Sequence, residues 1–202
     1  MDFLGFAFAV LLIELTPGPN MAWLAGLAAT EGRRSGLAAV WGVALGLLAN
    51  GVLAALGLAA VLQAAPQLWN GLRYAGAGMM LALAVQAWRG AGDGARQAGH
   101  GASTRRAFAT GALINLLNPK AYVFFLVVAP QFMRQSAFGL REALLLSLIS
   151  TAIATVIHLA IVLAGDKAHG WLSDPTRTKT VRRCFAGVML LVAGSFLLAD
   201  FG

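Results

Sequence analysis

Three ionisable side chains stand inside otherwise apolar stretches of this chain: Glu14, Lys120 and His158. A charge held away from water is expensive, so each is a candidate for binding or for moving charge. Glu14 has three chemistries open to it: holding a substrate ammonium, carrying a coupling proton, or pairing with a basic group. The competing structural reading is a hydrogen bond to backbone amides freed nearby. Lys120 suits a substrate carboxylate or Glu14 itself, against the alternative of snorkelling to an interface, a long reach from midspan. His158 has no second His, Cys or acid at ligand spacing, which argues against a metal and leaves a proton relay or a hydrogen bond between helices. Asn20, Asn115 and Asn118 offer amide donors and acceptors, either to a zwitterion or to loose backbone. Asn50 and Gln86 read as helix-packing residues.

Two of these groups flank unusual backbone. Thr16-Pro17-Gly18-Pro19-Asn20 interrupts one apolar run, and Asn118-Pro119-Lys120 interrupts another. Proline has no N–H and clashes with the preceding helical turn, so both runs should unwind there. Unpaired backbone is tolerated at membrane depth only where protein or a hydrated cavity covers it. Freed carbonyls and exposed helix N-termini then supply partial charges that hold a carboxylate or an ion. A lone proline would read as a simple kink. Two breaks at matching places read as a binding site.

The elements that carry these residues follow from composition. The chain has 202 residues, 59% hydrophobic and 11% charged, with mean hydropathy +0.75. A soluble domain carries about 25% charged residues, so this one lacks the charge to coat a water-facing surface. Six runs approach the length needed to cross a bilayer, roughly Phe3–Ala29, Gly36–Leu62, Leu68–Trp88, Ala107–Met133, Leu140–Gly165 and Cys184–Ala199. The expected fold is all-α, a polytopic membrane protein of six transmembrane helices, with the first and fourth broken at the midplane.

The net charge of +7 does not point to nucleic acid. The basic residues sit in connections between apolar runs rather than in one stripe interleaved with aromatics. Eleven Lys and Arg fall in the connections after the first, third and fifth runs, and only Arg73, Arg134 and Arg141 fall on the other side. The positive-inside rule then places both termini outward. The opening segment lacks a basic leader and carries Glu14, so it reads as a membrane helix rather than a signal peptide.

Three runs precede the glycine-rich linker 89–106 and three follow it, giving a first repeat over 1–88 and a second over 107–202. Three is odd, so the second repeat enters the membrane inverted, as in many secondary transporters. Pro17 and Pro119 stand 102 residues apart, and Arg33 and Arg134 stand 101 apart. Small residues such as Gly42-x-x-x-Gly46 and Gly71 through Gly78 allow close helix approach, within the chain or at a dimer seam.

Along essentially its whole length the chain resembles the LysE/RhtB family of bacterial amino-acid exporters. The resemblance rests on ELTPGPN at Glu14–Asn20, EGRRSG at Glu31–Gly36 and NLLNPKAYVFF at Asn115–Phe125. It implies proton-driven export of amino acids or close derivatives across the bacterial inner membrane, no enzymatic activity, and a possible homodimer. The family's proline motifs map onto Thr16 to Asn20 and Asn118 to Lys120. Many relatives have an apolar or hydroxyl residue near Glu14, so the acid marks a subgroup with its own substrate or coupling.

Other classes fit less well. A metal-cation exporter would want acidic or histidine clusters in the spans, and only Glu14 and His158 are there. Cys184 is the single cysteine, which leaves no dithiol for redox transfer. No serine has an obvious histidine partner for hydrolysis. No cofactor is expected.

Overall fold

The computed structural model describes residues 2–15, 18–57, 65–90, 100–132, 140–171 and 175–198. Among them all regular structure is helical: α1 (Phe3–Leu15), α2 (Pro19–Glu31), α3 (Arg33–Ala55), α4 (Pro66–Gly90), α5 (His100–Leu116), α6 (Pro119–Val123), α7 (Leu140–Trp171) and α8 (Pro175–Leu198). After α6 the chain continues as one π-helical turn, Phe124–Val128, and a 3-10 turn, Ala129–Phe132.

Two helices are by themselves long and apolar enough to cross a membrane, α3 and the Arg141–Lys167 portion of α7. The pair α1 and α2 meets the same requirement as one broken span bent by 56°. The other long helices have polar ends: Arg89 closes α4, His100 to Arg106 open α5, and Thr176 to Arg183 open α8. Two stretches expected to be connections are therefore partly helical. The linker 89–106 contributes its last residues to α5, and the polar stretch 166–183 is helical on both sides of residues 172–174. Polar residues do not prevent a helix; they only shorten its apolar length.

Both helix restarts after the breaks share an extended residue followed by proline, and the second adds a side-chain cap. Gly18 is extended (φ −153°, ψ 178°) and Pro19 opens α2. Asn118 is extended (φ −83°, ψ 108°), its side chain accepts from the Lys120 backbone N–H, and Pro119 opens α6. Proline suits the first helical position because that N–H has no intrahelical partner anyway. Helix restart thus matches Pro19 with Pro119, whereas spacing alone had paired Pro17 with Pro119.

Helix α3 packs most extensively on α5 and on α7, α4 packs on α8, and α7 also packs on α1 and α2. Glycine permits the closest crossing. A Cβ at Gly46 would lie 2.7 Å from the Ala112 carbonyl oxygen, and one at Gly111 would lie 2.5 Å from that of Ala39. The Gly42-x-x-x-Gly46 pair therefore serves the α3–α5 contact inside the chain. The α2–α3 corner turns at Gly32 (φ 81°), a left-handed conformation that other residues rarely adopt. There the Arg33 backbone N–H donates to Asp166 Oδ1 of α7 at 2.9 Å, capping the start of α3 from the far half of the chain.

The apolar interior falls into two main clusters. One gathers Trp23, Leu24, Val40, Met80, Ile114, Val162 and Met189 with their neighbours. The other gathers Phe6, Val10, Leu47, Phe124, Phe125 and Leu146, with Phe6 and Phe124 ring centroids 5.6 Å apart. Residues of the two helix breaks line a cavity walled partly by this second cluster.

Candidate functional site

The breaks leave backbone carbonyls without helical donors, and other helices supply replacements. Ile13 lies in the last turn of α1, and the residue four ahead is Pro17, which has no N–H to give. Its carbonyl oxygen accepts instead from Lys120 Nζ at 2.8 Å. Asn115 lies in the last turn of α5, and the residue four ahead is Pro119. Its carbonyl accepts from Asn50 Nδ2 at 2.9 Å and from the Asn118 N–H at 3.1 Å. The Leu116 carbonyl accepts from the Tyr122 hydroxyl at 2.9 Å, because the Lys120 N–H that would otherwise reach it is held by Asn118 Oδ1 at 3.0 Å.

The two breaks also touch each other. Asn20 Nδ2 donates to Asn115 Oδ1 at 2.7 Å, joining residues 95 apart in the chain. His158 on α7 brings Nε2 to 3.8 Å from Glu14 Oε2 on α1. That distance is too long for a hydrogen bond, and the two attract as ions only where the imidazole is protonated. Glu14, Lys120 and His158 line one cavity together with Gly18, Pro19, Asn20, Asn115, Asn118 and Ser150. Val10, Ile13, Leu47, Ala121 and Phe124 form its apolar wall.

Several buried polar atoms here have no hydrogen-bond partner: Asn20 Oδ1, Asn115 Nδ2, Ser150 Oγ and His158 Nε2. Buried polar atoms are normally satisfied, and each orphan costs about 1–3 kcal/mol. Their grouping around a cavity is what a site for a polar ligand or for water requires. Chemically, the lining offers an acid, an amine, amides and a hydroxyl together with hydrocarbon side chains. Among the described residues no three His, Cys, Asp or Glu side chains come together as a metal site would need.

Nine of the eleven residues singled out from sequence fall at this junction. Thr16 and Pro17 lie outside the described residues. Pro119 contributes backbone as the first residue of α6. Asn50 packs as expected and also answers the Asn115 carbonyl. Ser150 and Tyr122 escaped sequence reading. A signal for Ser150 did exist: Ser147, Ser150, Thr151, Thr155 and His158 recur at helical spacing along one stripe of α7.

Comparison with known proteins gives this geometry a context. Residues 11–200 match the LysE type translocator family. A homoserine/homoserine lactone efflux protein of Salmonella typhimurium is 26% identical over 90% of this chain and 88% of its own length. An uncharacterized membrane protein of Pseudomonas aeruginosa is 30% identical over 96% of this chain and 92% of its own. A leucine efflux protein of Enterobacter sp. is 25% identical over 81% of this chain and 78% of its own. No solved structure matches. With a family match that takes in both helix breaks and every helix between them, the chain belongs to the LysE type translocators.

Proposed function

We propose that this protein is a secondary transporter that exports amino acids or close derivatives across the bacterial inner membrane, driven by inward proton movement. The observation that carries the reading is the single cavity at the two helix breaks, holding one carboxylate and one amine beside an apolar wall. A zwitterion needs that pair of opposite charges, and its side chain needs the hydrocarbon surface. Membership of a translocator family and relatives named for homoserine and leucine efflux support the substrate class.

In this reading the chain crosses the membrane six times as two inverted three-helix repeats, 1–88 and 107–202, with both termini outward. Two features support it. The helix restarts at Pro19 and Pro119 are alike. The packing also exchanges onto itself when the halves are swapped, since α3 lies on the broken helix of the second half and α7 on that of the first. Alternating access then follows from rocking one half against the other around the cavity.

The test is export from cells that overproduce the chain while fed dipeptides. The expected outcome is accelerated release of particular amino acids. Absence of release across a broad panel, from protein verified in the membrane, contradicts the reading.

A further inference from the structure

Glu14 and His158 sit on helices of opposite halves and face one cavity. Their nearest side-chain atoms are 3.8 Å apart. His158 is 2% exposed and its Nε2 has no hydrogen-bond partner. The Glu14 side chain is 22% exposed and the His158 side chain 2%, so Glu14 is the member of the pair that meets water. A structural ion pair would be expected to close to hydrogen-bond distance, because that is how a buried imidazole nitrogen is satisfied. Here the gap leaves Nε2 without a partner; in the tautomer that carries its hydrogen on Nδ1, Nε2 accepts a hydrogen that either a carboxylic acid or an ammonium can provide.

One further charge acts on the pair. Lys120 from α6 is the third ionisable group of the cavity, its ammonium acts electrostatically on both Glu14 and His158, and it donates to the Ile13 carbonyl. The 3-10 turn Ala129–Phe132, against which α1 also packs, carries no ionisable residue. No other ionisable side chain lines the cavity among the described residues.

We propose that the Glu14–His158 pair is the coupling-proton site, and that a proton and the ammonium of the cargo occupy Glu14 by turns. The inference rests on the export reading and deepens it. With a proton bound, the Glu14 carboxyl closes the 3.8 Å gap to hydrogen-bond distance and its O–H donates to His158 Nε2. When an amino acid enters from the cytoplasm, its ammonium takes the place of that proton. The O–H bond breaks, the proton leaves to cytoplasmic water, and the ammonium satisfies both the carboxylate and Nε2. After the cargo departs outside, an external proton rebinds to Glu14. The cycle moves one amino acid out for one proton in, with no bond changed except that O–H. Exchange is obligatory because the two ligands use the same oxygen atoms.

Two measurements test this and keep it separable from the export reading. Infrared difference spectra of the purified full chain, stepped from acidic to alkaline buffer with no substrate, report carboxyl protonation directly. A protonated-carboxyl band that disappears in Glu14→Gln and shifts in His158→Gln is expected. A set of bands unchanged by both substitutions overturns the proposal. In proteoliposomes loaded with neutral amino acids, external acid should accelerate wild-type efflux. Glu14→Gln should lower that acceleration by about tenfold or more, while Glu14→Asp retains it with a displaced pH profile. Full acceleration in Glu14→Gln also overturns the proposal. A wild-type protein that moves no amino acid overturns the export reading, and the infrared bands then decide the proton site alone.

Discussion

Lys120 Nζ on α6 donates a hydrogen bond to the backbone carbonyl of Ile13 on α1, 2.8 Å away and 107 residues distant in the chain. That carbonyl is the one deprived of a helical donor by Pro17. The amine of one helix break therefore completes the backbone of the other. A substrate carboxylate arriving in the cavity would compete for the same amine, which ties occupancy to the fit between the halves.

The first prediction concerns this bond. Lys120→Met removes the donor and leaves a buried carbonyl unanswered, lowering stability by about 1–3 kcal/mol. Adding Pro17→Ala restores an N–H four residues after Ile13 and should recover part of that loss without recovering transport. Thermal unfolding in detergent measures the first effect and flux measures the second. Equal stability of Lys120→Met and wild type would contradict the assignment.

Asn50 plays the corresponding part at the second break, through its bond to the Asn115 carbonyl. Asn50→Leu keeps the volume and loses the donor, for an expected destabilisation of about 1–3 kcal/mol. Asn50→Asp can donate to that carbonyl only as the protonated acid, so its stability should fall as pH rises. Unfolding curves of the two variants at several pH values check this, and an Asn50→Leu variant as stable as wild type would show that the bond contributes nothing.

Glycine substitutions separate packing from the membrane-facing surface. Gly111→Ala places a methyl group 2.5 Å from the Ala39 carbonyl oxygen, so α3 and α5 must part. The expected cost is about 1–3 kcal/mol. Gly71→Ala and Gly78→Ala meet nothing within 4 Å and should leave stability of the single chain unchanged. Loss of folded yield in the latter pair would mean that a neighbour covers that face of α4.

The cavity also predicts selectivity. Glu14 is the only carboxylate lining it among the described residues. A neutral zwitterion finds partners for both charges, whereas a dibasic amino acid brings a second cation with none. Burying an unpaired charge costs several kcal/mol, so neutral amino acids should compete for labelled efflux at least about tenfold better than lysine or arginine. Equal competition would place the ammonium elsewhere.

Much of this site was legible in the sequence because proline and buried charge are local signals. Pro17, Pro19 and Pro119 announced the breaks, and Glu14, Lys120 and His158 stood out against apolar surroundings. The ELTPGPN and NPKA segments carried the family. What stayed hidden depends on the meeting of distant helices. Asn50 reads as packing until the Asn115 carbonyl appears opposite it. Tyr122 gives no sign of its role until its hydroxyl is seen on the Leu116 carbonyl. The proline register shifted as well, because in the first motif the helix restarts at its second proline, Pro19, after the extended Gly18. Apolar length alone picks out α3, α7 and the bent α1–α2 pair, because the polar ends of α4, α5 and α8 shorten their apolar stretches.

The central claim is that the cavity at the two breaks carries amino acids. It is tested most directly by efflux of labelled neutral amino acids from proteoliposomes, comparing wild type with Lys120→Gln. The account predicts saturable efflux from wild type that is accelerated by external acid, and efflux from Lys120→Gln with a markedly raised KM for substrates bearing a free carboxylate. Wild-type protein that moves none of the panel, or a Lys120→Gln variant with unaltered KM, would contradict it.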